Sequence, residues 1–180
     1  MYLSVKTLRF IILNTVAKLD AAHPNAACIG EDYAEPIANR LASEELNSFF
    51  NIAVSHHGVP IIPDPDAPAP GEWVDDWDEN GRNFFTACGI DMWLFGHRHE
   101  YQAGPLNKPL QKPVGLVQIL TLRIAPPETC GIPKTRGFCV LELLRNAGEV
   151  KKAIVHHYEI LENGGIITHK EAETVFVQRE

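Results

Sequence analysis

Met92-Trp93-Leu94-Phe95 is an unbroken apolar run, and Gly96-His97-Arg98-His99 follows it without a spacer. Four consecutive apolar residues leave no face for water in an extended chain, so the run suits a strand covered on both sides, as in the parallel sheets of α/β proteins. The same arrangement occurs earlier, where Ile52-Ala53-Val54-Ser55 runs directly into His56-His57-Gly58. In open α/β sheets ligands bind at the carboxyl ends of strands, where loops direct side chains to one point. Two buried strands that both end in histidines therefore constrain fold and site together.

The remaining pattern fits around these two strands. Residues 8–15 (Leu-Arg-Phe-Ile-Ile-Leu-Asn-Thr) read as a further core strand. Residues 16–36 show no firm period and read as a loop with one short helix. Ala38, Leu41, Ala42, Leu46, Phe49 and Phe50 recur at spacings of three and four, which predicts one helix entered at Pro36. Pro60, Pro63, Pro65, Pro68 and Pro70 exclude both helix and central strand, so a stiff loop is expected there. Residues 82–88, with Phe84, Phe85 and Cys88 on one side and Gly89 at the end, predict a second helix. Beyond residue 110 the segments 114–124, 137–145 and 150–161 read as strands of an antiparallel sheet. Asn146-Ala147-Gly148-Glu149 joins the last two as a hairpin, and Asn163-Gly164-Gly165 makes another turn.

Composition bounds the function classes. A chain of 180 residues with 45% apolar and 22% charged residues is sized and composed for one folded domain. Its longest apolar runs, residues 10–13 and 92–95, fall far short of the roughly 18 residues a spanning helix needs. A net charge of -7 opposes broad contact with nucleic acid or an anionic membrane. Cys28, Cys88, Cys130 and Cys139 show no Cys-x-x-Cys spacing and fit a reducing compartment. Lys6 and Arg9 interrupt the apolar residues near the start, so no secretory signal is read, and a cytoplasmic location is expected.

The chemistry rests on imidazoles. Neutral histidine is the commonest transition-metal ligand, and two histidines at i and i+2 after a glycine can project to adjacent coordination positions. His97 and His99 meet that requirement, and His56 brings a third nitrogen from a neighbouring strand end. Other polar residues take blander roles. Glu72, Asp75, Asp76, Asp78 and Glu79 read as a solvated face. Trp73 and Trp77 serve a cleft lid or packing alike. His156 and His157 alternate along a strand, face opposite sides and cannot share a site. His23 and His169 sit in turn-like settings and are given no role.

The stretch from Ile52 to His57, followed by Trp93-Leu94-Phe95-Gly96-His97-Arg98-His99-Glu100, resembles the closing half of a calcineurin-like metallophosphoesterase. The strand at residues 9–15 resembles the one that follows the Gly-Asn-His motif of that family. The resemblance implies a binuclear site for manganese, iron or zinc, in which a bridging aspartate and a metal-bound water attack a phosphate ester. Carried over by position, His56 and His97 bind one metal and His99 the other, while His57 and Arg98 fall at positions that can meet substrate.

The family's opening motifs, Asp-x-His, Gly-Asp and Gly-Asn-His, do not occur in this sequence. Asp20 and His23 are one residue too far apart for the first, and Gly30-Glu31-Asp32 is not the second. The expectation is an incomplete α/β sandwich with a C-terminal antiparallel sheet, residues 1–180 forming the C-terminal portion of such a domain. Its function is then metal-dependent hydrolysis of a phosphomonoester or diester. This chain alone should hold one metal or fewer. Association with a chain supplying the N-terminal half, through an exposed strand edge or apolar face, is expected too. The competing expectation is a non-catalytic metal-binding or interaction module.

Overall fold

The computed structural model describes residues 7–16, 27–42, 49–61, 73–97, 101–106, 110, 112–119, 136–160, 167–169 and 172–177. Five strands build the first sheet: β1 (Thr7–Ile12), β2 (Phe49–Ser55), β3 (Ile90–Phe95), β4 (Gln102–Pro105) and β5 (Gly115–Gln118), in the order β1-β2-β3-β5-β4. The first three and β5 are mutually parallel, and β4 closes the far edge antiparallel to β5. Helix α1 (Glu31–Ala42) lies in the crossover from β1 to β2. The crossover to β3 carries one π-helical turn, Trp77–Gly81, that runs straight into α2 (Arg82–Ala87). Two parallel crossovers in succession leave the carboxyl ends of β1, β2 and β3 together at one end of the sheet.

Both faces of this sheet are covered, which is why its central strands read as continuous apolar runs. On the helical face Ala53, Trp93 and Phe95 pack with Trp77, Phe84, Phe85 and Leu41. On the other, Ile52, Met92 and Val117 meet Ala153, Val155 and Phe176 of a second, antiparallel sheet. That sheet comprises β6 (Arg136–Asn146), β7 (Glu149–Ile160), β8 (Ile167–His169) and β9 (Glu173–Val177). Its long hairpin turns where expected, with Ala147 at φ 49° and Gly148 at φ 85°, the left-handed pair that a two-residue turn of right-twisted strands requires. Strands β8 and β9 both pair with the side of β7 opposite β6, so β6 is an edge among the described strands. Strand β9 also lies against β4 and β5. The approach is close enough that a Cβ on Gly115 would sit 2.8 Å from the Val175 carbonyl oxygen.

Three expectations need correction. The helix predicted across residues 38–50 starts earlier, at Glu31, and is described as far as Ala42, while Phe49 and Phe50 open β2 instead. The three-and-four spacing continued by accident across a helix-to-strand boundary. Pro36 consequently lies inside α1 rather than at its entrance. What sets the helix start is Asp76, whose two carboxylate oxygens accept the backbone N–H groups of Ile29 and Gly30, each at 2.8 Å. Gly30 at φ 71° then turns the chain into a first helical turn bearing Glu31 and Asp32, where the helix dipole favours acidic groups. Asp76 is therefore a structural clamp, not part of a solvated acidic face, although Asp78 and Glu79 are exposed as expected. The third correction concerns the strand at residues 114–124. Its described part, Gly115–Gln118, joins the first sheet parallel to β3 instead of the C-terminal sheet, because Leu116 and Val117 are buried on opposite faces.

Trp73 and Trp77 are packing residues: both are buried, and the Trp77 ring stacks on Trp93 with centroids 5.4 Å apart. Gly89 ends α2 at φ 57°. His156 lies 2.8 Å from Glu142, while buried His157 stacks on Tyr101 at 3.9 Å, so the two do face apart. The proline-rich residues 62–70, the turn at 163–165, Asp20, His23, Glu72 and Cys130 lie outside the described residues. No helix among the described residues is long and apolar enough to cross a membrane.

Candidate metal centre

The register of the parallel strands brings the histidines together. Ser55 at the end of β2 is opposite Phe95 at the end of β3, so the residues that follow, His56 and Gly96, leave the sheet side by side. The Gly96 N–H donates to the His56 carbonyl at 3.0 Å and extends the ladder by one step. His97 then adopts φ 75°, a left-handed conformation that turns its ring back over the strand ends. As a result His97 Nδ1 lies 3.0 Å from His56 Nε2, and the two ring centroids are 4.9 Å apart.

His57 joins them. Its ring centroid is 4.6 Å from that of His56 and 4.3 Å from that of His97. One nitrogen from each of the three rings lies within 4.8 Å of the other two. His56 is exposed and His97 half-buried, whereas His57 is only 4% exposed. Burial, and secondarily the neighbouring His97 and His56 rings, lower the His57 pKa to about 4, so at neutral pH its imidazole is uncharged and carries a free lone pair.

Two hydroxyl residues build the floor beneath His57. Thr15, just beyond β1 and fully buried, accepts the His57 backbone N–H at 3.0 Å, and its Oγ1 is 3.1 Å from His57 Nδ1. Ser55 Oγ donates to the His57 carbonyl and accepts the Trp93 indole N–H at 2.7 Å. Gly58 is required next, because a Cβ there would meet the Phe95 ring.

Of the sequence candidates, the structure thus gathers His56, His57 and His97, while Arg98 and His99 lie outside the described residues. Sequence reasoning assigned His57 to substrate rather than metal and gave Thr15 and Ser55 no role beyond ending strands. No local signal announces Thr15, since its partner is 42 residues away.

No family model matches the sequence, and no curated protein is detectably similar to it. Among solved structures, the fold is similar to a dimetal phosphatase from Danio rerio, with TM-score 0.51 and 12% identity over 85% of this chain. It is also similar to GAP50, the anchor in the inner membrane complex of Plasmodium, with TM-score 0.53 and 12% identity over 96% of this chain. The chain spans 40% of the first neighbour's length and 50% of the second's. At that identity the likeness concerns the fold: a mixed sheet packed against a separate antiparallel sheet, with few helices.

Proposed function

We propose that this chain supplies the histidine-bearing, carboxyl-terminal portion of a metal-dependent phosphoesterase domain, acting on a phosphomonoester or phosphodiester. The observation that carries this reading is the convergence of three imidazoles at the ends of two adjacent parallel strands. The fold likeness to a dimetal phosphatase supports it. His56 and His97 are the ligands, His57 is added to them by its position, and His99 and Arg98 extend the site toward a second cation and a phosphate oxygen.

The donor set fits a cation. Two nitrogens each about 2.0–2.1 Å from a tetrahedral zinc are roughly 3.3–3.4 Å apart; the His56–His97 pair at 3.0 Å needs a slight opening, and the three-nitrogen set, spread over as much as 4.8 Å, must draw His57 in. If Nδ1–H of His57 donates to Thr15, its Nε2 lone pair is left for the cation, and the hydroxyl fixes tautomer and ring orientation together. A bound manganese, iron or zinc ion supplies Lewis acidity toward a phosphoryl oxygen and acidifies water. Within the chain, neutral His57 holds the inner side of the site and exposed His56 borders the side open to substrate.

The cluster formed by the described residues contains no carboxylate, and this favours a second reading, a metal-binding module without hydrolysis. Metal analysis after dialysis, paired with hydrolysis of bis-p-nitrophenyl phosphate in manganese, separates the two. The phosphoesterase reading expects bound metal and turnover that are both lost in His97→Ala. Bound metal without turnover, even when a chain bearing the missing carboxylate ligands is supplied, leaves the second reading. No bound metal defeats both.

A further inference from the structure

His157 is 1% exposed in the layer between the two sheets, among Ile52, Met92, Val117, Ala153 and Val155, and no step at the metal centre uses it. Its ring stacks on Tyr101 with centroids 3.9 Å apart and planes 11° from parallel. Tyr101 closes the connection that begins at Gly96 and carries His97. That connection passes over a strand. Phe95 of β3 and Gln102 of β4 are both register partners of Gln118 in β5, so the three lie in one row. The gap from β3 to β4 is two strand spacings, about 9–10 Å, whereas the seven residue steps from Phe95 to Gln102, fully extended, reach about 23–25 Å. Chain length therefore does not fix the path. A residue with a Cβ held at φ 75°, as His97 is, keeps that conformation only where its surroundings over-determine it. At the near end the Gly96 N–H, bonded to the His56 carbonyl, supplies one restraint. At the far end Tyr101 is, among the described residues of the connection, the one whose side chain packs into the core between the sheets.

We propose that the Tyr101–His157 stack is the far anchor of this turn, so that His157, on the second sheet, is a positioning residue for His97. The inference rests on the reading of His97 as a metal ligand and gives the second sheet a task at the site. Tyrosine is long and rigid, with two χ angles, so pinning its ring fixes the backbone at residue 101 more closely than an aliphatic contact does. The platform beneath it is firm. Strand β7 has β6 on one side and β8 and β9 on the other, and His157 is opposite Cys139 in the ladder to β6. With the stack lost, residue 101 is no longer tied to the second sheet. His97 then relaxes toward negative φ, which carries its Nδ1 away from His56 Nε2.

Two readouts on the complete chain test this: amide exchange at Gly96 in metal-free protein, and the affinity by calorimetry for zinc whose binding His97→Ala abolishes. Exchange is taken relative to Leu13, whose N–H bonds to the Val54 carbonyl on the far side of β2, so that a general loss of stability cancels. His157→Leu and Tyr101→Leu should each quicken Gly96 exchange and weaken zinc binding roughly 10–100-fold, the scale of losing an outer group that orients a ligand. His157→Phe and Tyr101→Phe keep a flat ring and should restore both readouts. Val155→Ala removes volume from the same layer and leaves the stack; it should lower the urea midpoint and change neither readout. Unchanged Gly96 exchange, or unchanged zinc affinity, in both leucine variants overturns the proposal. So does a loss as large in the phenylalanine variants as in the leucine ones, or as large in Val155→Ala. Quickened exchange in a chain that takes up no zinc supports the anchor and defeats only the metal reading above.

Discussion

Strands β3 and β1 are both short apolar runs in one parallel sheet, yet they live in different surroundings. In β3 the side chains of Ile90, Met92 and Trp93 are wholly buried, under helices on one face and the second sheet on the other. In β1 the face turned to α1 is closed through Ile11, with Leu13 just beyond the strand, while on the other face Leu8 is partly covered and Phe10 and Ile12 meet water. Hydrophobicity thus reports what a strand wants, and its place in the strand order decides what it receives. The difference ends at the carboxyl terminus of β1, where Thr15 is as buried as any residue of β3 because it supports His57.

The sharpest break of this comparison comes from truncating one residue in each strand. Trp93→Ala should cost about 3–5 kcal/mol by urea unfolding, whereas Ile12→Ser should stay within about 0.5 kcal/mol. Equal losses would erase the distinction. Next in size is Asp76→Ala, expected to cost about 1–2 kcal/mol as two capped amides lose their acceptor. Hydrogen exchange should quicken most in α1, which covers β1, and less in α2, whose preceding π-helical turn loses only the Asn80 side-chain contact to Asp76. Thr15→Val should keep the fold and weaken zinc or manganese binding roughly 10-fold, the scale of losing a group that orients a ligand. An unchanged affinity by calorimetry would reduce Thr15 to packing.

The smallest effect is a pH dependence in metal-stripped protein. The His57 pKa is lowered to about 4, chiefly by burial, so the unfolded chain, near its ordinary 6.5, takes the proton first. Its contribution is complete above pH 6.5 and is lost as pH falls toward 4. Urea midpoints at pH 7.5 and 5 should therefore separate more in the native sequence than in His57→Gln.

Sequence reading succeeded where the determinant was local. Met92 to Phe95 declared a strand covered on both faces, Gly89 a helix end, and Asn146 to Glu149 a hairpin, because each depends on residues within a few positions. The α1 boundary was not legible. Asp76 places it from 46 and 47 residues downstream, and the spacing of Phe49 and Phe50 imitated a helix they do not join. The strand at residues 115–118 looked like its β-rich neighbours, since nothing within it states which sheet it will join. At the site, His56 and His97 were visible as strand-end residues. The inward position of His57 was not, because it depends on a hydroxyl from β1's end.

The left-handed backbone of His97 has a consequence for anyone who hardens this protein. A residue with a Cβ at φ 75° stores on the order of 1 kcal/mol that glycine would release. Variants screened for heat tolerance alone will drift toward His97→Gly, a gain in robustness that silently deletes an imidazole from the cluster. The position must be held fixed in any such library, and the strain in that loop is the toll the chain carries for keeping a nitrogen donor there.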